Sequence, residues 1–439
     1  MTRRIALLAV VLLGLGTLVL HAPRSSHSQG TDVYLNATKG GSRKLGIAIP
    51  EFTPVNSAPD EGNFARLLPD IIANDLRFSA LFTVATPPPL PAAPEAVRQE
   101  FQKLAQSGAH AAMQGLLTIA GPRATVEFRV YDLMSPEFRL IAAKTFWVEP
   151  LGNHRRLAHR IADEVVNLFT GERGIAETKI VYVARVGANK EIMMIDYDGF
   201  NQVPLTELKS LSLSPAWSPT DSTVAFTSFF KGYPYVFRLY PFNPRRRDPE
   251  LMSAWPGINI SPAWAPDGKT VALALSKDGN PEIYTLRVGT SEFKRLTNNR
   301  GIDTDPTWSP TGREIAFSSD RGGAPNIWIM DAEGLNPRRL TTGFDTQPRW
   351  SPKGDVLVFT RRTGGGFEIW AINPDGGNAR SLAQGEGATW APDGRHIAFS
   401  SSRNGRPQLY TMLADGSEQQ VLTRDRGEAS GPTWSPRPQ

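Results

Sequence analysis

One phrase, of the form P-x-W-[SA]-P-x-G, recurs through residues 180–439, each time leading into a short β-branched and aromatic run. Its tryptophans are Trp217, Trp264, Trp308, Trp350, Trp390 and Trp434, spaced 47, 44, 42, 40 and 44 residues apart. A period in the low forties built from strand-like runs predicts a β-propeller with one four-stranded blade per repeat. The unit around Trp308 shows the plan. Asp305-Pro306-Thr307-Trp308 is extended, Glu314 to Ser318 is an apolar strand, Asn326 to Met330 is a third strand, and Arg338 to Thr341 is a polar outer one. Pro and Asp-Gly stand between them, where turns need a preset or a positive φ.

The ends of the array imply how it closes. The second-strand phrase occurs six times, beginning with Ile180-Val181-Tyr182-Val183, which no P-x-W precedes. The final P-x-W, at Trp434, has no second strand after it. Pairing Trp434 with Ile180 completes one blade from both ends and leaves no open edge. The expectation is six blades over residues 176–439.

Residues 31–175 lack the repeat. Lys44–Ile49 reads as a buried strand, and Asn63–Phe78 carries apolar residues at helical spacing, with Pro69 either kinking the helix or marking its start. Thr86–Pro94 is a stiff connector and Glu95–Gln106 a helix. Ala111–Ile119, Thr125–Asp132 and Leu140–Val148 read as strands, and Gly152–Phe169 as an amphipathic helix. The expectation is a small α/β domain before the propeller.

Residues 1–30 read as an export signal. Arg3 and Arg4 precede an apolar run from Ile5 to Leu20, with a cleavage site after Gly30; an uncleaved anchor is the alternative. There is no cysteine, so neither disulfides nor a lipid-modified N-terminal cysteine is expected. Of the formal charge of +5, residues 1–30 hold three arginines and no acid, which leaves +2. The basic pI therefore does not argue for nucleic acid, and Arg245-Arg246-Arg247 reads as a solvated loop beside Asp248 and Glu250.

No catalytic constellation is present. There is neither a G-x-S-x-G elbow nor an H-E-x-x-H pair. His154 and His159 are five apart, poor spacing for one helix face, and read as surface residues. Asp196-Tyr197-Asp198-Gly199 lacks the rest of a calcium loop and reads as a turn at a strand end. The tryptophans read as packing between blades. No cofactor or metal is expected. Propellers of prolyl-oligopeptidase-type peptidases carry similar phrases, but nothing here supplies a hydrolase domain. A rigid ring that presents loops to partners is the favoured reading.

The combination of features resembles the TolB family of the Tol–Pal system. The resemblance rests on Asp32-Val33-Tyr34-Leu35, Leu45-Gly46-Ile47-Ala48-Ile49-Pro50, Tyr197-Asp198-Gly199-Phe200-Asn201 and Ser214-Pro215-Ala216-Trp217-Ser218-Pro219, and on the closing G-P-T-W-S-P. It implies a non-enzymatic, monomeric periplasmic scaffold, peripheral to membranes through its partners, that supports envelope integrity and constriction at division. A Pal-type peptidoglycan-associated lipoprotein is implied at one propeller mouth, on the residues that feed each inner strand: Ile258, Asn259, Ser261, Asp303, Thr304, Asp305, Asp345, Thr346 and Gln347. TolA is implied on the N-terminal arm, at Asp32, Val33, Tyr34, Leu35, Asn36 and Lys39, before the Gly40-Gly41 joint. The arm is expected either to fold back or to be released, a permanent edge strand being the alternative. The apolar run Trp255–Ile260 departs from the family pattern and leaves a different periplasmic receptor open.

Overall fold

The structure, a computed structural model, describes residues 44–424 and 427–438. The export signal, its cleavage site and the arm with Asp32, Val33, Tyr34, Leu35, Asn36 and Lys39 lie outside the described residues.

The N-terminal region is a mixed sheet carrying helices. Its elements are β1 (Leu45–Ala48), β2 (Thr53–Pro54), α1 (Phe64–Phe78), β3 (Phe82–Ala85), α2 (Pro94–Gln106), β4 (Ala111–Ala120), β5 (Arg123–Asp132), β6 (Leu140–Val148) and α3 (His154–Thr170). The sheet order is β3-β1-β4-β5-β6, with β2 alongside β4. β1 runs parallel to both its neighbours, and all four of its residues are buried, as a strand covered on both faces requires. β4 and β5 alternate buried and half-buried positions, consistent with helices over one face.

Pro69 neither starts nor ends α1. The helix begins where Asp60 accepts the N–H groups of Phe64 and Ala65 at 2.8 and 2.9 Å. A proline inside a helix deprives the carbonyl four residues back of its donor. Here that carbonyl, Ala65 O, receives the N–H of Phe52 at 2.7 Å, so the freed acceptor is satisfied by the chain after β1. The second amphipathic helix starts slightly later than its pattern suggests, because Leu151–Asn153 forms a 3-10 turn before His154.

The remainder is six four-stranded antiparallel sheets arranged as blades. The first blade consists of β7 (Lys179–Val186), β8 (Asn189–Asp196), a short outer strand at Val203–Pro204, and the C-terminal strand Ala429–Trp434 as its innermost member. Trp434 stands opposite Ile180, as the end pattern implies. The indole Nε1–H of Trp434 donates to Thr178 Oγ1 at 2.8 Å, and Lys179 N–H donates to Ser435 Oγ at 3.0 Å. The outer strand of the fourth blade is only Arg338–Arg339, because Leu340 and Thr341 turn back onto Ile327.

The tryptophans do hold blades together. Trp264 Nε1–H donates to Ala216 O at 3.1 Å, Trp308 to Ala263 O at 3.2 Å and Trp390 to Arg349 O at 3.2 Å. Each acceptor lies one residue before the tryptophan of the preceding blade. On the outer side, the turn glycines do related work. Gly334 has φ +89°, and a Cβ there would stand 2.4 Å from Leu296 O of the preceding blade. Only glycine combines that φ with so close an approach.

Every innermost strand also carries the same irregularity. Its ladder slips three residues before the tryptophan, where Ser214, Ser261, Asp305, Gln347, Gly387 and Gly431 all have φ between +51° and +62°. These six bulges line up around the channel. Ser261 Oγ–H donates to Asp305 Oδ1 of the next blade at 2.8 Å.

The two regions share one apolar core. Leu68, Ile72 and Leu76 of α1 and Leu157, Ile161 and Val165 of α3 are fully buried, in the same cluster as Tyr182, Tyr197 and Trp434 of the first blade. No helix among the described residues is long and apolar enough to cross a membrane.

Candidate functional site

The channel has two unlike mouths. At one, the inner strands begin; at the other, they end in the six Trp-[Ser/Ala]-Pro phrases. The N-terminal domain sits on the second side. There Arg395 donates to Ser79 O at 2.8 Å, His396 Nε2 donates to Phe78 O at 2.9 Å, and Arg437 donates to Gly174 O at 3.1 Å. The residues singled out as a partner rim stand at the first mouth, remote from that domain.

The structure divides those nine residues. Asn259, Asp303 and Asp345 have no exposed surface and anchor their own blades. Asn259 accepts from Ser253 Oγ and Trp255 N at 2.7 and 2.9 Å. Asp303 is held by Arg321 at 2.6 Å and Asn299 at 2.7 Å, and Asp345 by both Nε and Nη2 of Arg361 at 2.7 and 2.8 Å. The two guanidinium groups lie over Trp328 and Trp370, 4.9 and 4.3 Å from the ring centroids. A partner could reach Asp303 and Asp345 only by taking apart a charge-assisted pair, and Asn259 only by breaking its bonds to Ser253 and Trp255. In this structure the three stand behind the wall of the mouth and brace it. Ile258, Ser261, Thr304, Asp305, Thr346 and Gln347 remain half-buried on the wall of this mouth.

Ser261, Asp305 and Gln347 occupy the left-handed bulges, so their side chains are aimed by a backbone shape that repeats in every blade. Gln347 is also tied down: its N–H donates to Ser318 Oγ at 3.1 Å, and its Oε1 accepts from Thr360 at 3.1 Å. Thr304 and Thr346 have ordinary extended backbone.

A second polar assembly lies where the N-terminal domain meets the first blade. The reading of His159 as a surface residue fails: it is 1% exposed, on the inner face of α3. Its Nδ1 lies 2.7 Å from Asp75 Oδ2 of α1, and its Nε2 lies 3.8 Å from Asp198 Oδ2 in the turn after β8. Tyr197 O–H donates to Asp75 Oδ1 at 2.5 Å, and Arg155 pairs with Asp198 while stacking 3.9 Å over Phe200. The Asp196–Gly199 turn is thus a turn as expected, and it is also the propeller's plug into the other domain. His154 is half-buried, against Leu151 O and the ring of Phe64.

Burial shapes the charges here. It raises the Asp75 carboxyl above its ordinary value, with His159 working against the rise. Burial also opposes charge on His159, but the Asp75 carboxylate prevails and raises the imidazole. Burial pushes Asp163 up to about 7, although it accepts the N–H groups of Ala176 and Glu177 at 2.7 and 3.1 Å. Asp393, beside His396, goes the other way. Burial opposes its charge, but His396 and the N–H groups of Arg395 and His396 hold it down at about 2.

Asp75, His159 and Asp198 present ligand atoms within 4.8 Å of one another. Both oxygens of Asp75 are already engaged by His159 and Tyr197, and Asp198 is neutralised by Arg155. These donors serve the domain junction. The sequence holds a faint signal for it, since His159 lies on the apolar arc of α3, one turn from Ala162 and two turns from Val166.

Comparison with known proteins follows the same two-part division. The chain matches the family described as "TolB beta propeller domain" over residues 166–438 and the family described as "TolB amino-terminal domain" over residues 33–137. It is 32% identical over 248 residues to "Tol-Pal system protein TolB" of Dinoroseobacter shibae, covering 53% of each chain. It is 33% identical over 238 residues to the protein of the same name from Cereibacter sphaeroides, covering 51% of this chain and 50% of the other. The chain thus spans about half the length of the curated relatives it matches. Among solved structures, it is similar to TolB from Acinetobacter baumannii with a TM-score of 0.77 and 26% identity, covering 90% of this chain and 97% of that one.

Proposed function

Because this chain belongs to the TolB family, we propose that it is a non-enzymatic scaffold of the Tol–Pal system in the periplasm. In this reading it joins a Pal-type lipoprotein at the mouth remote from the N-terminal domain to TolA on the arm at residues 31–39. Its role is to support envelope integrity and constriction at division. What carries the reading is the match of both regions to the two TolB family domains, together with similarity to a solved TolB over most of both chains.

The remote mouth suits a protein partner. It offers half-buried polar side chains on a rigid ring, braced from behind by Asn259, Asp303 and Asp345. Its loops also carry exposed apolar surface, with Trp255 39% and Ile302 48% exposed. That apolar surface favours one second reading, a different periplasmic receptor at the same mouth.

Calorimetry with the purified chain and a Pal-type periplasmic domain tests the proposal. Asp305 and Ser261 are poor sites for bulky probes, because a large residue at φ above +50° strains the backbone whatever the partner does. Thr304→Arg and Thr346→Arg avoid that. Each is expected to weaken Pal binding at least tenfold with an unchanged melting temperature. Unaltered affinity would move the site elsewhere, and absence of binding by the parent chain would favour the other receptor. Deleting residues 31–39 is expected to abolish TolA binding and leave the propeller's melting unchanged.

A further inference from the structure

The opposite mouth carries a feature that the scaffold reading does not use. All six tryptophans and the six prolines two residues after them line it, forming an apolar funnel into the channel. Among the described residues, one cationic side chain stands within this ring, Arg349.

Arg349 immediately precedes Trp350, and its counterparts in the other blades are Ala216, Ala263, Thr307, Thr389 and Thr433. Side chains at this position face the channel. Thr389 Oγ1 accepts the N–H of Trp434 and Thr433 Oγ1 that of Trp217, each reaching the inner strand of the next blade at 3.4 Å. Arg349 itself is pinned through its main chain, since its carbonyl accepts the indole of Trp390.

Its guanidinium is left under-used. Arg321 and Arg361 pair with buried aspartates, but Arg349 forms no ion pair among the described residues. Of five N–H donors, one goes to Pro348 O at 2.8 Å. Burial depresses its pKa, although the residue is half-buried rather than enclosed, and among the described residues the carboxylate of Asp305 is the charge that counteracts the fall. Asp305 is itself turned toward Ser261 and Thr304. A half-buried planar cation with unused forked donors, set in an indole and proline wall, has the chemistry to recognise a carboxylate on an apolar body.

We propose that the Trp–Pro funnel is a binding site for a carboxylate attached to an apolar group, with Arg349 as its anion-recognising residue. The carboxylate lies against the guanidinium and the apolar body against the ring of Pro219, Pro266, Pro310 and their neighbours. A small free acid and the C-terminal carboxylate of a peptide share this chemistry.

The test uses the full chain, titrated by tryptophan fluorescence and calorimetry. The probes are benzoate, its neutral counterpart benzamide, and the tripeptide N-acetyl-Ala-Ala-Phe as free acid and as amide. At least one carboxylate is expected to bind saturably with one site per chain, at least tenfold tighter than its neutral counterpart. Arg349→Gln should lose at least tenfold in that affinity with an unchanged melting temperature, and Arg349→Lys should fall between. Asp305→Asn removes the competing negative charge and should tighten binding about threefold. Binding of benzoate alone assigns the site to free acids, and binding of the peptide acid alone to a chain terminus. Absence of saturable binding by both acids, or equal affinity in Arg349→Gln, overturns the proposal.

Discussion

His159 Nδ1 sits 2.7 Å from Asp75 Oδ2, and this buried contact between α3 and α1 is continued into the propeller by Tyr197 and Asp198. Both members are almost wholly inaccessible. The pair therefore holds two helices together and docks the first blade against them.

Removing one partner should show its worth. His159→Leu strands a buried carboxylate with Tyr197 as its one remaining side-chain donor among the described residues, and is expected to cost about 3–5 kcal/mol. The charges facing the imidazole are Asp75, Asp198 and Arg155, with the Tyr197 hydroxyl. Their sum raises its folded pKa, so the contribution is complete below the ordinary histidine value of about 6.5 and is lost as pH rises through the raised value. Melting temperatures measured between pH 6 and 9 should fall more steeply for the parent than for His159→Gln. Parallel curves would show that His159 carries no proton-linked stability.

Asp163 provides a direct titration. Its carboxyl, pushed up to about 7 by burial, should give a carbon resonance titrating near neutrality that disappears in Asp163→Asn. Because the folded pKa lies above the unfolded one, its ionisation weakens the folded state as pH rises from about 4 to 7. Asp163→Asn should flatten that part of the stability profile. A resonance titrating near 4 would show that the backbone N–H groups of Ala176 and Glu177 dominate instead.

The buried pairs at the remote mouth are expected to be structural. Arg321→Leu leaves the fully buried Asp303 carboxyl without its counter-ion, and should destabilise by about 3–5 kcal/mol in chemical denaturation. The double change Arg321→Leu with Asp303→Leu should recover a substantial part of that loss. Little loss in the single variant would mean that water reaches Asp303 freely.

Closure is the remaining test. Trp434→Ala removes a buried indole and its bond to Thr178, with an expected cost of about 3–5 kcal/mol. At roughly 2–4 °C per kcal/mol for a unit of this size, the melting temperature should drop by about 6–20 °C. Deleting residues 431–439 should cost more. Equal melting of parent and truncation would place the stability of the first blade elsewhere.

Much of the architecture was legible because repetition amplifies weak signals. One blade's strands are ambiguous, but six copies in register at one period leave few alternatives, and the mismatched ends told how the ring shuts. The N-terminal elements were legible where periodicity was clean. Pro69 was ambiguous because its tolerance depends on the Phe52 N–H, a contact from outside the helix. The site is less legible. Asn259, Asp303 and Asp345 look like loop polar residues, and only the folded blade brings Arg321 and Arg361 onto the two aspartates. The burial of His159 is not legible from its spacing along the chain. Its partners, Asp75 and Asp198, come from two other elements, and the burial that joins them is a property of domain docking.

The bond between Trp434 and Thr178 joins residues 256 positions apart. Such a contact cannot form until nearly the whole propeller has been synthesised. Until then β7 waits as the inner edge of an incomplete sheet, with Ile180 to Val183 lacking their partner. The ring therefore has an obligatory last step in assembly, and the interval before it is when the nascent chain is most open to pairing with a stranger.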